Sequence, residues 1–238
     1  KISVMRSDHM EKMMVREMPS CAFKCLVKTP VGGRIPEWLD GTESQNTLRF
    51  HRRLPGYAPT RIVRLRRLAR TWGVSEILVK DESERFGLGA FKALGGSYAV
   101  ARLLCRMMEI GTDEIDFEYL VSDSVRRRIG RITLATATDG NHGRGIAWVA
   151  EQLKQCAVVF LPRGAAASRA AAIRSHGAEV EITDLNYDDA VRLCRRTAQE
   201  QGWLIVQDTA WEGYEDVPRW IMQGYTTLCA EAVRQMET

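Results

Sequence analysis

From Ile132 to Val206 the hydrophobic and polar positions switch regularly between two spacings. Short runs of strand length (Ile132 to Thr136, Ala157 to Leu161, Glu179 to Ile182, Leu204 to Val206) are separated by stretches whose apolar residues recur three and four apart: Gly143 to Lys154, Ala165 to His176 and Tyr187 to Gln201. Gly177 and Gly202 stand where helix C-termini favour glycine. Strands alternating with helices of ten or more residues predict an α/β fold with a parallel sheet and right-handed crossovers. Ligands of such sheets gather at the carboxyl ends of the strands.

Upstream the pattern is looser. Residues 1 to about 45 carry Pro19, Pro30, Gly32, Gly33, Pro36 and Gly41 with little periodicity, which predicts an arm laid over a domain. A short helix is expected over Gln45 to Arg53, a turn over Pro55 to Thr60, a strand over Ile62 to Leu65 and a helix over Arg66 to Trp72 that ends at Gly73. Ile77 to Val79 reads as a strand. A polar loop then leads to a helix that begins at Lys92 and runs to about Met108, with Leu94, Tyr98, Ala101, Leu104 and Cys105 in helical spacing. An arginine-rich polar connector follows. The last amphipathic pattern, Pro218 to Thr238, stops without a glycine cap, and the chain starts on Lys1, so both ends are expected to be cut.

A length of 238 residues with 45% hydrophobic content gives a globular chain of one large or two small domains. The balance of 34 basic and 30 acidic residues, net +4, requires neither nucleic acid nor an anionic membrane as partner. The arginine clusters have too few aromatics among them for base stacking and read as solvated faces. Six cysteines lack the spacing of a zinc site or a disulfide scaffold, and four scattered histidines offer no metal motif. Reduced thiols and no bilayer-length apolar run point to a cytoplasmic protein without a bound metal.

Two short segments carry candidate chemistry. In Ala90 to Gly96 (AFKALGG), Lys92 is flanked by apolar and small residues, which reads either as an amine held out of water with its lone pair free for Schiff-base chemistry or as a lysine in the first turn of a surface helix. Thr138 to Gly143 (TDGNHG) lies between a strand and a helix. This order collects backbone N–H groups and the positive end of a helix dipole, which suits anions and electron-rich ring oxygens. The alternative is a tight turn in which Gly140 and Gly143 merely supply unusual dihedrals. Asp139 and Asp208 both follow directly on strands and so face one rim. Asp139 also reads as a helix cap, and Trp211, Trp220 and Tyr225 read as core. The glycines do not form GxGxxG or a Walker loop, which disfavours nicotinamide and nucleotide triphosphate cofactors.

Taken together, FGLGAFKALGG (Phe86 to Gly96), ATATDGNHGRGIAW (Ala135 to Trp148), NYDDAVRL (Asn186 to Leu193) and QDTAWEGY (Gln207 to Tyr214) resemble the diaminopropionate ammonia-lyases, pyridoxal-phosphate enzymes of the tryptophan synthase β type, over about residues 45 to 238. The resemblance implies a fold of that type with an incomplete second domain: an arm (1–45), the first part of a large domain (46–94), a small inserted α/β domain (95–207) and a return into the large domain (208–238). It implies pyridoxal 5'-phosphate as cofactor, carried on Lys92, with Asn141 at the ring hydroxyl and His142 and Gly143 shaping the turn. Asp139 would take the α proton from the D-substrate and Lys92 from the L-substrate. Asp208 would be a second acid and Thr138 and Tyr187 would line the substrate pocket. The implied reaction is α,β-elimination of 2,3-diaminopropionate, a small amino acid, to pyruvate and ammonia, in a homodimer. The family's cofactor-phosphate loop and its partner for the pyridine nitrogen are expected beyond residue 238. Pro59-Thr60-Arg61 departs from the family pattern, and residues 1 to about 40 have no match. Serine or threonine dehydration, or a catalytically silent fragment, are the alternatives.

Overall fold

The structure, a computed structural model, describes residues 2–7, 10–17, 24–28, 36–39, 41–111 and 116–236. Pro19, Pro30, Gly32 and Gly33 lie outside them. The elements in chain order are β1 (Ile2–Ser7), β2 (Met10–Glu17), β3 (Lys24–Lys28), α1 (Gly41–His51), β4 (Ile62–Arg64), α2 (Arg66–Trp72), β5 (Leu78–Lys80), α3 (Lys92–Met108), α4 (Phe117–Leu120), α5 (Asp123–Ile129), β6 (Thr133–Ala137), α6 (Asn141–Gln152), β7 (Cys156–Leu161), α7 (Ala167–Arg174), β8 (Glu179–Ile182), α8 (Tyr187–Gln201), β9 (Leu204–Ile205) and α9 (Asp216–Met236). Backbone contacts divide the chain into two units, residues 1–40 with 64–79 and residues 41–63 with 80–238.

In the first unit, β1, β2 and β3 form an antiparallel sheet, with Ile2 opposite Arg16 and Met13 opposite Lys28. The sequence pattern predicts no strand here. Strand pairing is a contact between neighbouring segments, and short runs with weak alternation do not announce it. Helix α2 ends as expected at Gly73, whose φ of 65° is left-handed.

The second unit is built on a four-stranded sheet of order β8-β7-β6-β9, parallel throughout, as the alternation predicts. Central strand β6 is buried on both faces, the usual state of a parallel strand. One face carries Leu134 and Val159 into the main core with α3 and α6, where Leu94, Leu104, Ile146 and Val149 are almost wholly buried. The other face sets Ala135, Ala137, Val158 and Phe160 against Ala190, Cys194 and Ala198 of α8. Each fully buried Leu or Phe contributes about 1.5–3 kcal/mol.

Helix boundaries shift by a few residues from the periodicity. Helix α6 begins at Asn141 rather than Gly143, and β9 has two residues rather than three. The arginine-rich connector contains helices α4 and α5, each started by a side-chain cap: Asp116 accepts from Glu118 N–H, and Ser122 accepts from Val125 N–H.

Helices α3 and α9 cross at glycines. A Cβ on Gly224 would stand 2.6 Å from Gly95 Cα and 2.6 Å from Leu94 O, and one on Gly95 would stand 2.8 Å from Ile221 O. Only hydrogen fits at both positions, so the backbones touch one turn beyond Lys92.

Candidate active site

The site is built where β6 gives way to α6. After Ala137, Thr138 Oγ1 accepts the Gly140 N–H at 3.0 Å, and Gly140 takes φ +150°, a conformation that side-chain-bearing residues rarely adopt. A Cβ on Gly140 would also lie 2.9 Å from Arg169 Cδ. Gly143 packs beneath the turn, where a Cβ would come within 2.4 Å of Thr138 Cγ2. No side chain caps α6, so the exposed Asp139 carboxylate is not used for capping.

This turn forms one wall of an open cleft of ≈ 370 Å³. Lys92, Thr138, Asp139, Asn141, His142, Tyr187 and Asp208 line it, with Gly140 and Arg169. Residues drawn from five separate stretches of sequence thus meet at the carboxyl end of the sheet, and Gly143 alone of the expected residues lies behind the lining. The cleft falls within the range of small-molecule sites, ~300–1,000 Å³.

Lys92 is the first residue of α3, and its side chain is 29% exposed. Nζ donates to Asp208 Oδ2 at 2.8 Å and stands 5.5 Å from the Tyr225 ring and 5.8 Å from the Phe91 ring. The sequence expectation of an amine in a closed pocket is therefore modified: the amine opens partly to the cleft, held by a carboxylate with two aromatic rings nearby.

His142 is buried, and its Nε2 donates to Val206 O at 2.7 Å, because a carbonyl only accepts. Its Nδ1 has no hydrogen-bond partner and lies 3.8 Å from Asp208 Oδ2. Burial holds the imidazole below its ordinary value, against the pull of Asp208. For Asp208, burial favours the neutral acid, but the hydrogen bond and charge of Lys92 oppose it, and the carboxyl lies below its ordinary value. Burial raises the phenol of Tyr187.

Three contributors escape a reading of the sequence alone. Gln207 Oε1 accepts from Thr136 Oγ1 and from Ala137 N–H, both at 2.9 Å, and its Nε2 donates to Tyr187 Oη at 3.1 Å. It ties the end of β9 to the end of β6 and so sets the position of Asp208. Tyr225, read as core, does pack against the core as a partly buried residue, and its ring also faces Lys92, where the crossing at Gly95 and Gly224 lets α9 approach. Arg169 donates to Asp139 O at 2.8 Å and clasps the turn. Of the other aromatics, Trp220 is buried, whereas Trp211 stacks on Tyr214 beside a separate cleft. Among the described residues, no group of three or more His, Cys, Asp or Glu could hold a metal ion, and no helix is long and apolar enough to cross a membrane.

The geometry can be set beside known proteins. Diaminopropionate ammonia-lyase of Escherichia coli strain K12 is 54% identical over 205 residues, 86% of this chain and 50% of the relative. The crystal structure of the E. coli diaminopropionate ammonia-lyase in apo form superimposes with a TM-score of 0.81 at 50% identity, covering 87% of this chain and 55% of that one; a second, in complex with D-serine, gives the same TM-score. L-threonine ammonia-lyase of Geobacter sulfurreducens is 32% identical over 101 residues, 42% of this chain and 23% of the relative. The chain spans about half the length of the curated diaminopropionate ammonia-lyases that it matches. The model of the pyridoxal-phosphate dependent enzymes matches residues 53–238, and the chain belongs to that family.

Proposed function

We propose that the whole protein of which this chain is part catalyses α,β-elimination of 2,3-diaminopropionate to pyruvate and ammonia, with pyridoxal 5'-phosphate as cofactor. The observation that carries the reading is the convergence of Lys92 with Asp208, His142 and the 138–143 turn on one cleft. The high identity to diaminopropionate ammonia-lyases supports it further.

The donor set fits the cofactor. Lys92 offers a primary amine at the start of a helix, and Asn141 offers an exposed amide on the turn. The rings of Phe91 and Tyr225 stand beside the amine. Lys92 would hold the cofactor covalently, Asn141 would meet its ring hydroxyl, and His142 and Gly143 would shape the turn beneath. When bound, the cofactor supplies an electron sink for the pair left on the α carbon as its C–H bond breaks.

The remaining work belongs to the chain. Asp139 stands exposed on the rim beside the start of α6 and would take the proton from one face of the α carbon. The Lys92 amine serves the opposite face and hence the opposite enantiomer. Thr138 and Tyr187 bound the substrate, and Asp208 is the second acid. We assign 46–94 and 208–238 to a large domain and 95–207 to an inserted one, with 1–45 as an arm. We further propose that the protein is a cytoplasmic homodimer that acts on small amino acids.

Incubation with pyridoxal phosphate and borohydride, then peptide mapping, should label Lys92 and yield no label in Lys92→Ala. The full-length protein should release pyruvate from diaminopropionate faster than from serine. Label elsewhere, or turnover of serine alone, would overturn the assignment.

A further inference from the structure

Asp208 and His142 present two acceptors to one position. The Val206 carbonyl fixes the proton of the neutral His142 ring on Nε2, so Nδ1 carries a lone pair. The side chain is only 3% exposed, and Nδ1 has no partner. An unpaired buried acceptor calls for a donor, as the great majority of such atoms in folded proteins are satisfied. Asp208 Oδ2, 3.8 Å away, is itself an acceptor, so the two repel unless a donor sits between them. Two acceptors at that separation suit a single nitrogen carrying several N–H bonds. At present Lys92 Nζ satisfies one of them, at 2.8 Å from Asp208 Oδ2, with the rings of Phe91 and Tyr225 adding attraction for a cation.

We propose that Asp208 and His142 form an ammonium subsite for the second, β-amino group of the substrate, and that Lys92's own ammonium occupies it in the ligand-free protein. The inference rests on the elimination reading, in which the Lys92 nitrogen would hold the cofactor when the substrate arrives, leaving its place beside Asp208 free for the incoming ammonium. Asp208 Oδ2 then accepts one N–H of the substrate ammonium and His142 Nδ1 another. Burial keeps the imidazole neutral, so that lone pair persists at neutral pH. A hydroxyl at the same carbon has one proton and no charge. It can satisfy one acceptor and leaves the other unpaired, which selects a diamino acid over its hydroxy counterpart.

The test uses the cofactor-free 238-residue chain, labelled with nitrogen-15 and carrying Lys92→Ala to vacate the position. Methylammonium chloride should shift the His142 Nδ1 resonance saturably, and methanol should not. Adding Asp208→Asn should weaken methylammonium binding about tenfold or more. Lys92→Ser, which keeps a polar stub, takes its place if Lys92→Ala does not fold. No saturable shift, or equal affinity with and without Asp208→Asn, would overturn the subsite. Neither turnover nor cofactor enters this measurement. Failure here with Lys92 labelling intact therefore refutes the subsite alone, whereas binding here without Lys92 labelling refutes the elimination reading.

Discussion

His51 makes the stability of the second unit depend on pH in a way that can be worked out from its contacts. It is wholly buried, and its two ring nitrogens are both committed: Nε2 donates to Leu94 O at 2.9 Å, and Nδ1 accepts from the hydroxyl of Thr227 at 2.6 Å. The ring thereby joins α1 to α3 and α9 in its neutral form. Burial is the main reason that its pKa falls from 6.5 to about 3, with the Arg85 charge adding to the effect. Because the folded value lies below the unfolded one, the unfolded chain binds the extra proton first. Stability is therefore full above 6.5 and drains away as the pH falls toward the folded value. At about pH 5 the folded ring is still neutral, so the loss is set by the unfolded value and comes to about 2 kcal/mol. His51→Gln offers one donor and one acceptor and cannot titrate. Urea unfolding followed by circular dichroism at about pH 7.5 and pH 5 should show the native chain losing about 2 kcal/mol more than the variant. Equal losses in the two proteins would show that His51 is charged or solvated in the fold, and the reasoning would fail.

Other outcomes follow from single contacts. Glu231 receives Arg85 through both guanidinium Nη atoms, together with Tyr57 Oη and the Thr60 N–H, while Lys80 pairs with it at 2.7 Å. Glu231→Gln leaves the buried Arg85 charge with Glu82 as its remaining carboxylate and takes the charge from the Lys80 pair, and should cost about 1–3 kcal/mol in urea unfolding; a cost below about 0.5 kcal/mol would mean that water reaches the pair. Gly224→Ala forces a methyl group onto Gly95 and should destabilise the chain by about 1–3 kcal/mol, read as a lower Tm with a displaced Tyr225 signal. Gln207→Ala leaves the buried Ala137 N–H without its acceptor and should cost about 1–3 kcal/mol, with amide exchange at Ala137 accelerated; unchanged exchange there would exclude Gln207 as the lock between β6 and β9.

Much of this arrangement is legible in the chain as written. The alternation from Ile132 onward specifies strands and helices in an order that only a parallel sheet accommodates, and that sheet is present. Lys92 and the TDGNHG turn stand out because an amine among small residues and a glycine-rich strand-to-helix turn are unusual in local composition. Gln207 does not stand out. A glutamine after a strand is ordinary, and its value lies in three bonds to Thr136, Ala137 and Tyr187, far from it in sequence. Strands β1 to β3 were invisible for a related reason, since each depends on its neighbour for its hydrogen bonds.

By itself the amino-acid order determined which segments coil and which extend, since periods of 3.6 and 2 place apolar atoms on one side of a helix or strand. It also determined which residues have the chemistry to act. Tertiary structure alone decided that Nζ of Lys92 would lie against Asp208, 116 positions away, and that Tyr225, at the margin of the core, would face it. Those outcomes depend on how closely two helices approach at Gly95 and Gly224. Close approach is a property of two surfaces fitting together, and neither helix carries it alone.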